Sequence, residues 1–272
     1  MADRRDHVLS VASAWLAMPS FSIMCVYLGM VLIVSPIWRR VVPALSLGYM
    51  VVAYNALCSA LSLVTLLLFF VPLAAGWEAS MFSIERCKTE YMALAFQLYY
   101  YTKVIELLDT VWMILRHKSR QITVLHVYHH SIMAVLGDAA YMTSLPGVAF
   151  GLGMNSAVHV VMYMYYLVTA WRSMSSTTGT GGEGTSARNP AFLFSPFMER
   201  ILPLWRQRMT EMQLLQFFIG GVHNLWGYKY HSFCPYGSVF LFTLVVLFSN
   251  FYYRAYLKPK RKQPPVDTKK SE

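Results

Sequence analysis

Charged residues are scarce in this chain of 272 residues. Only 13% of the residues are Asp, Glu, Lys or Arg, whereas an ordinary soluble domain contains roughly a quarter. Apolar residues make up 56% of the chain, and the mean hydropathy is +0.42. Disorder is excluded, because a disordered chain has low hydrophobicity. The composition predicts an integral membrane protein.

Cysteine and acidic residues are also few, and each shortage excludes a class of protein. Four Cys are too few for a disulfide-rich secreted scaffold. The 23 Lys and Arg against 13 Asp and Glu give a net charge of +10, which raises the question of a nucleic-acid partner. No such partner is expected, because the positions of the basic residues follow membrane topology.

Seven apolar stretches are long enough to cross a bilayer. A spanning helix needs about 20 mostly apolar residues, because hydrocarbon leaves exposed backbone groups unsatisfied. The stretches run from Ser20 to Trp38, Ala44 to Ala75, Tyr91 to Leu115, Ile122 to Met142, Val148 to Trp171, Met209 to Tyr228 and Tyr236 to Leu257. The sequence therefore predicts an all-α membrane protein with seven transmembrane helices.

The basic residues between the spans predict the orientation. Lys and Arg concentrate in cytosolic loops. One set of alternate loops contains 17 of them, the other contains five, and Lys103 lies inside the third span. The C-terminus is therefore predicted to be cytosolic and the N-terminus lumenal. Residues 1–19 are not expected to be a signal peptide, because they lack a short apolar core and a small-residue cleavage site.

The chain is predicted to form a single integral-membrane domain, residues 1–272. Its parts are a lumenal N-terminus (1–19), a seven-helix core (20–257) and a basic cytosolic tail (258–272). Ser, Thr and Gly dominate residues 173–189, which predicts a flexible cytosolic insert. The apolar segment from Phe192 to Phe197 is expected to lie along the membrane interface.

Two further features bear on the compartment. Lys269 and Lys270 resemble a cytosolic dilysine signal for retrieval to the endoplasmic reticulum, although a solvated tail has the same composition. Cys87 and Cys234 each lie in a predicted lumenal loop, where oxidising conditions allow a disulfide between them. Two free thiols are the alternative.

Ionisable and polar residues inside the predicted spans are the main functional signal, because such groups are costly in a membrane and face a protein interior. They recur at helical spacings on four spans, so each set shares a face. The third span has Lys103, Glu106 and Asp109; the fourth has His126, His129 and His130; the fifth has Asn155, His159, Met162, Tyr163 and Tyr166; the sixth has Thr210, Gln213 and Gln216. For Lys103 and Glu106, an ion pair that fastens helices together explains the sequence as well as chemistry does. Asp109 is the better candidate to orient a histidine.

The histidines suggest two kinds of chemistry. Three His at this spacing first suggest a transition metal, as in membrane di-iron desaturases and hydroxylases. The chain has only eight His and no second box of this kind, so a di-iron site lacks ligands. Acyl transfer fits better, because neutral imidazole attacks a thioester, and a dry cavity protects the resulting acyl-imidazole. A second His and an Asn would stabilise the developing oxyanion.

At these residues the sequence resembles the fatty-acid elongase family of the endoplasmic reticulum, the very-long-chain 3-oxoacyl-CoA synthases. The resemblance rests on KVIELLDT at residues 103–110, HVYHH at 126–130, NSAVHVVMYMYY at 155–166 and the Thr210, Gln213 and Gln216 set, in family order. Glu211 departs from the family, in which many members have Gln, and so does the long Ser/Gly insert.

The resemblance implies a decarboxylating condensation that extends the acyl chain by two carbons. A long-chain acyl-CoA and malonyl-CoA would give 3-oxoacyl-CoA, CO2 and CoA, with no metal or redox cofactor. The later six helices would surround an acyl tunnel closed towards the lumen. Other enzymes of the elongation cycle, the reductases and dehydratase, are the implied partners, alongside membrane lipid, and a homodimer is possible.

The resemblance also implies a role for each site residue. His129 would be the nucleophile, with His130 the alternative, and His159 and Asn155 would stabilise the enolate or oxyanion. The positioning role falls to Asp109, His126 and His130. The residues expected to line or brace the substrate site are Lys103, Glu106, Tyr163, Tyr166, Thr210, Gln213 and Gln216. Basic cytosolic residues suited to the phosphates of CoA are Arg116, Lys118, Arg120, Arg206 and Arg208, although membrane topology explains them equally well.

Substrate preference is indicated by a few residues near the histidine box. Gln121, Val127 and Tyr128 resemble members that extend polyunsaturated chains, which suggests C18 to C20 polyunsaturated substrates. The alternatives that remain open are a membrane di-iron oxidase, a seven-helix transporter or receptor, and a non-catalytic binding protein.

Overall fold

The structure is a computed structural model that describes residues 18–77, 80–177 and 195–258. Most of the predicted lumenal N-terminus, residues 178–189 of the predicted insert and the Lys269–Lys270 pair lie outside these residues, so those predictions stay predictions. In the described ranges the chain is helical and contains no strand. The all-α prediction is therefore confirmed.

The helices occupy the seven predicted stretches. They are α1 (Pro19–Val41), α2 (Gly48–Ala74), α3 (Glu90–Glu106), α4 (Leu108–Leu115), α5 (Val124–Thr143), α6 (Pro146–Thr177), α7 (Ser195–Tyr230) and α8 (Tyr236–Tyr252). A π-helical segment, Met30–Val34, lies inside α1, and another, Tyr253–Leu257, follows α8. Only Leu107 separates α3 from α4, and it keeps right-handed helical dihedrals (φ −61°, ψ −23°). Together α3 and α4 therefore occupy the third predicted stretch.

Local side-chain chemistry fixes several helix boundaries. The Thr89 hydroxyl accepts the Met92 N–H at the start of α3, and the Thr123 hydroxyl accepts the His126 N–H at the start of α5. Thr is a favoured N-cap because it satisfies a backbone donor that has no partner within the helix. α5 therefore begins at Val124 rather than at the predicted Ile122.

Two helices are longer than the predicted spans at the end assigned to the cytosol. α6 continues to Thr177, into the first residues of the predicted insert, and α7 already begins at Ser195. The span predicted from Met209 lies within α7, which also includes the charged residues that lower the hydropathy before that span. Arg200, Arg206 and Arg208 lie on a helix that leaves the apolar zone rather than in a loop.

Four helical segments in the described residues are long and apolar enough to cross a membrane: Pro19–Val41, Gly48–Ala74, Pro146–Met174 and Gly237–Leu257. Large apolar side chains point outwards, including Val26 at 74% exposure and Phe242 at 70%. Such exposure suits contact with lipid. The protein is an integral membrane protein. A spanning role for α3 with α4, for α5 and for α7 stays a prediction, since these segments carry polar residues and do not reach the same hydropathy.

Six helical segments pack as a closed ring, with α1 outside it. Going round the ring, α2 packs against α3, α3 against α5, α5 against α8, α8 against α7, α7 against α6, and α6 against α2. α1 packs against α5 and, near its end, against α4. The later helices thus surround a common interior, as expected, while the tunnel itself stays a prediction.

Connections predicted on the same side of the membrane meet at the same end of the ring. At the end assigned to the cytosol, the Arg39 guanidinium donates to the Ser119 hydroxyl at 2.7 Å, and Arg172 pairs with Glu199 at 2.8 Å. At the opposite end, the Gly147 N–H donates to the Ser83 carbonyl at 2.8 Å. The alternation of loops is therefore consistent with the predicted topology.

The predicted disulfide is not formed in this structure. Cys234 is an exposed free thiol in the connection between α7 and α8. Cys87 packs beside the core that contains Phe69, Phe96 and Tyr99, and its N–H donates to the Ser144 carbonyl at 2.8 Å. The pairing was one of two alternatives that the sequence allowed, and this structure does not contain it.

Candidate active site

A buried ionic cluster joins α3 to α6. The Lys103 ammonium lies 2.9 and 3.0 Å from the two oxygens of Glu106, one turn further along the chain. Glu106 Oε1 lies 2.9 Å from Nδ1 of His159. The exposure of Lys103, Glu106 and His159 is only 3%, 1% and 4%. The ion pair that fastens helices together is therefore present, and it also holds a histidine.

The geometry of this cluster assigns the proton on His159. Both carboxylate oxygens of Glu106 are acceptors, so the 2.9 Å contact with Nδ1 requires an N–H at Nδ1. Lys103 Nζ lies 3.2 Å from Nδ1 and 3.5 Å from Nε2, beside the ring rather than along one lone pair. The neutral ring therefore carries its free lone pair on Nε2. A carboxylate behind Nδ1 also stabilises the imidazolium that forms when Nε2 takes a proton.

His129 lies across from His159. Their rings are 6.4 Å apart and nearly parallel, with an interplanar angle of 27°, and the other ring neighbours of His129 are His130 and Phe248. The His129 side chain is partly buried and makes no hydrogen bond to the rest of the described chain. Both ring nitrogens are therefore available to a bound molecule, as a nucleophile requires.

The other two histidines of the box are held by neighbouring helices. The His126 and His130 rings lie 4.3 Å apart, as residues at i and i+4 of one helix do. His126 Nε2 lies 2.8 Å from the Thr110 hydroxyl of α4. His130 Nε2 lies 4.0 Å from Asp109 Oδ2, a distance for charge interaction rather than for a hydrogen bond. Asp109 thus faces a histidine, as its position in the sequence suggested.

The α6 stripe supplies a tyrosine and an amide to the same region. Tyr163 is fully buried, and its hydroxyl donates to Asp109 Oδ2 at 2.7 Å. The Tyr99 hydroxyl donates to Asn155 Oδ1 at 2.9 Å. Tyr99 occupies the oxygen of the Asn155 amide. The NH2 group of this amide makes no hydrogen bond in the described structure and is therefore free to donate. That is the property needed for binding an oxyanion.

The polar residues of α7 and the second tyrosine of α6 contribute unequally. The Thr210 hydroxyl donates to the Arg206 carbonyl of its own helix at 3.3 Å, so it does not reach out of α7. Gln213 lies 3.9 Å from the Met162 sulfur. Gln216 is 8% exposed, and its Oε1 has no partner in the described structure. Tyr166 packs edge-on against Tyr163 and Tyr165 rather than hydrogen bonding.

The basic residues expected near CoA lie at the end of the ring assigned to the cytosol. Arg116 ends α4, while Lys118 and Arg120 are exposed in the connection to α5. A cavity of about 430 Å³ lies between α6, α7 and the π-helical segment that follows α8. Its lining includes Arg172, Glu199, Arg206, Gln207 and Tyr256. Arg208 pairs with Glu211 at 2.6 Å, so the residue that departs from the family engages one of the expected cations.

Sequence reasoning missed some of the polar contacts. Tyr99 lies four residues before Lys103 on the same helical face, and its hydroxyl contacts Asn155. That spacing was the available signal, but it was hidden among three consecutive Tyr. Thr110 lay inside a recognised motif without an assigned role. Thr110 also contacts Tyr27 of α1. The residues one turn from Tyr27 are all apolar, so the sequence did not single it out.

The histidine box is not arranged as a metal site in the described part of the chain. In that part, no three His, Cys, Asp or Glu side chains are grouped to hold a metal ion. His126 is engaged by Thr110, and His159 by Glu106 and Lys103.

Comparison with known proteins agrees with the motifs. A family model for the GNS1/SUR4 (ELO) family matches residues 15–264. The chain is 31% identical to very long chain fatty acid elongase 2 of Rattus norvegicus over 260 residues, which cover 91% of this chain and 83% of that protein. It is 32% identical to very long chain fatty acid elongase 1 of Homo sapiens over 262 residues, covering 88% and 82%. It is 29% identical to very long chain fatty acid elongase 4 of Homo sapiens over 274 residues, covering 96% and 78%. Four motifs in family order, a buried histidine cluster and a family match over most of the length lead to one conclusion: this chain belongs to the GNS1/SUR4 (ELO) family.

Proposed function

We propose that the protein elongates fatty acids by condensing a long-chain acyl-CoA with malonyl-CoA to 3-oxoacyl-CoA, CO2 and CoA. The observation that carries the proposal is the placement of His129, free of hydrogen bonds, beside His159, whose Nδ1 is held by Glu106. Family membership supplies the substrate class. The chemistry follows from the two imidazoles.

The first half-reaction transfers the acyl group to His129. A ring nitrogen of His129 attacks the thioester carbonyl, a tetrahedral oxyanion forms, and the carbon–sulfur bond breaks. The proton on the other nitrogen of His129 passes to Nε2 of His159, where Glu106 stabilises the imidazolium. His159 then gives this proton to the departing thiolate. CoA leaves as a thiol, and an uncharged acyl-imidazole remains.

The second half-reaction forms the new carbon–carbon bond. Malonyl-CoA loses CO2, and the electrons of the broken bond remain on C2 as an enolate. This carbon attacks the acyl-imidazole, the carbon–nitrogen bond breaks, and His129 recovers a proton from solvent. The Asn155 NH2 group donates to the enolate or oxyanion, which is stabilised more strongly in a water-excluded site than in bulk water.

The remaining residues position these groups. Lys103 balances the charge of Glu106, so that the carboxylate is held behind His159 rather than protonated. Asp109, supported by Tyr163, faces His130, and His130 packs against both other histidines of the box. No metal or redox cofactor takes part in this scheme.

The substrate is proposed to enter from the cytosol. The acyl chain would occupy a tunnel inside the six-helix ring, closed towards the lumen, while CoA would remain near the basic cytosolic end. Arg116, Lys118, Arg120 and Arg206 are the proposed phosphate contacts. The motif residues favour polyunsaturated C18 to C20 chains. Tyr128 of that motif packs beside Phe217 and Phe248, next to the proposed nucleophile.

The cellular setting is proposed from the same arguments. The protein would lie in the endoplasmic reticulum membrane, with a lumenal N-terminus and a cytosolic C-terminus ending in a dilysine-like sequence. It would work with the reductases and dehydratase that complete an elongation cycle, and it could do so as a homodimer.

The test uses membranes that contain the expressed protein, labelled malonyl-CoA and an unsaturated C18 acyl-CoA. NADPH is omitted so that later reduction cannot proceed. We expect a labelled 3-oxo product two carbons longer. His129→Ala should abolish it, whereas His231→Ala, which changes an exposed histidine at the lumenal end, should retain it.

The outcomes separate the candidate functions. If His129→Ala keeps near-normal condensation while His130→Ala loses it, the nucleophile is His130. If no saturated or polyunsaturated acyl-CoA gives product in membranes where a known elongase is active, the proposed function is wrong. Stoichiometric iron in the purified protein would then favour a di-iron oxidase.

A further inference from the structure

A chain of hydrogen bonds connects the histidine box to the helix outside the ring. The Tyr27 hydroxyl of α1 lies 3.0 Å from the Thr110 hydroxyl of α4, and the Thr110 hydroxyl lies 2.8 Å from His126 Nε2 of α5. Tyr27 is 3% exposed and Thr110 is fully buried. Three helices therefore meet in one line of polar groups, of which the Tyr27 and Thr110 hydroxyls are buried.

The direction of this chain follows from its proton count. In the described structure, Thr110 is the single hydrogen-bond partner of the Tyr27 hydroxyl. If Thr110 donated to Tyr27, the Tyr27 proton would be buried without an acceptor, which is unfavourable. Tyr27 therefore donates to Thr110, and the single Thr110 proton is directed at His126. His126 then accepts at Nε2 and carries its own proton on Nδ1.

The orientation of His126 reaches the rest of the box through ring packing. Its ring lies 4.3 Å from that of His130, and the His130 ring lies 5.6 Å from that of His129 in an edge-on contact. A change in the His126 tautomer or ring angle therefore moves the surface against which His130 and His129 pack.

We propose that Tyr27 is a positioning residue for the histidine box: through Thr110 it fixes the tautomer and ring orientation of His126. This inference rests on the proposed condensing function. It gives α1, which lies outside the six-helix ring, a part in the support of the active site. Simple docking of α1 is the competing explanation, because α1 is also held by the Ser20 N–H, which donates to Asp138 Oδ2 at 3.1 Å.

The experiment compares Tyr27→Phe with Asp138→Ala in the NADPH-free condensation assay. Tyr27→Phe removes the hydroxyl and keeps the ring, so kcat should fall about 3- to 10-fold, the loss expected for one hydrogen bond, with KM for acyl-CoA unchanged. Asp138→Ala removes the acceptor of the Ser20 N–H, a hydrogen bond that holds α1 without touching the histidine box. It should lower the thermal midpoint in detergent at least as much, with kcat above half that of wild type.

Thr110 supplies the second readout. Thr110→Ser keeps the hydroxyl and should retain activity, whereas Thr110→Val should lower kcat about 3- to 10-fold, as Tyr27→Phe does. Because the chain acts as a unit, adding Tyr27→Phe to Thr110→Val should cause no further loss in kcat.

Several results would overturn the proposal. These are a Tyr27→Phe protein with kcat within twofold of wild type, equal losses in kcat from Tyr27→Phe and Asp138→Ala, or losses that multiply in the double variant. An inactive wild-type protein, beside an active relative, would overturn the proposed function together with this inference. An active wild-type protein with an unaffected Tyr27→Phe variant would overturn this inference alone.

Discussion

The buried pair of Lys103 and Glu106 allows the support of His159 to be separated from the stability of the fold. Glu106→Gln leaves the Lys103 ammonium without its counter-charge at a side-chain exposure of 2%. Removing one partner of a buried pair costs about 3–5 kcal/mol. In a chain of this size each kcal/mol corresponds to roughly 2–4 °C in the unfolding midpoint, so we expect a fall of about 10 °C.

The double variant Lys103→Met/Glu106→Gln removes both charges. Replacing a buried pair by neutral residues of similar volume is often neutral in free energy of unfolding. We therefore expect the midpoint to return to within about 3 °C of wild type. Activity should not return, because an amide cannot stabilise the His159 imidazolium as a carboxylate does. The expected loss in kcat is about 100-fold or more.

The two quantities are measured on the same preparations. The midpoint comes from heating purified protein in detergent and measuring the soluble fraction, and kcat comes from the labelled malonyl-CoA assay. Glu85→Gln is the control, because Glu85 lies 4.0 Å from Lys88, also three residues apart, while both side chains are exposed. It should change neither quantity. A stable double variant with more than a tenth of wild-type kcat would refute the role of Glu106 in catalysis.

Three further variants test other parts of the site in the same assays. Asn155→Ala should lower kcat about 100-fold at constant KM, because it removes the proposed oxyanion donor, while Tyr99→Phe should lower kcat less; similar effects of the two would contradict this assignment. Tyr163→Phe removes a 2.7 Å hydrogen bond and should lower kcat 3- to 10-fold, which we expect at about 1 kcal/mol per hydrogen bond; an unchanged kcat would show that this bond is dispensable. Gln216→Leu removes a buried oxygen that lacks a partner, so the free energy of unfolding should stay the same or rise. KM for acyl-CoA should rise about 10-fold if this oxygen binds substrate; an unchanged KM would exclude that contact.

Much of the fold was predictable from apolar runs alone. The helix bounds in the interior of the chain agree with the predicted spans within a few residues because hydrocarbon permits few alternatives to a helix. The exceptions are helices that continue beyond their apolar part into charged residues. α7 begins at Ser195 because a helix can continue past the membrane into water, and hydropathy does not detect that continuation.

The site was predictable as a set of faces but not as a set of contacts. Helical spacing placed Asn155, His159 and Tyr163 on one stripe, and the structure keeps them there. Which helix each residue faces depends on ring order and on the rotation of each helix, neither of which spacing encodes. The pairing of His159 with Glu106, and of Tyr163 with Asp109, could therefore not be predicted from the spacing.

Single polar residues in apolar runs remain the hardest to interpret. The residues one turn from Tyr27 in α1 are all apolar, so the adjacent sequence does not separate it from an aromatic that faces lipid. Its 3% exposure and its contact with Thr110 make the difference. Cys87 and Cys234 illustrate the converse, since a suggestive pair in sequence is not bonded in this structure.

The three segments that fall below the hydropathy of a spanning helix are also the ones whose polar side chains build much of the site. α3 with α4 contributes Lys103, Glu106 and Asp109, and α5 contributes the histidine box, so the same residues lower the hydropathy and form the cluster. A helix in a ring can carry such residues because its inner face meets protein rather than lipid. Low hydropathy in a segment flanked by strongly apolar helices therefore indicates an interior site in this chain. The position of the polar residues along that segment indicates how far the reacting groups lie from the membrane surface. His126, His129 and His130 lie in the first two turns of α5, which begins at the end predicted to be cytosolic. The reacting thioester is accordingly expected close to the cytosolic face, with the acyl chain extending away from it towards the lumen.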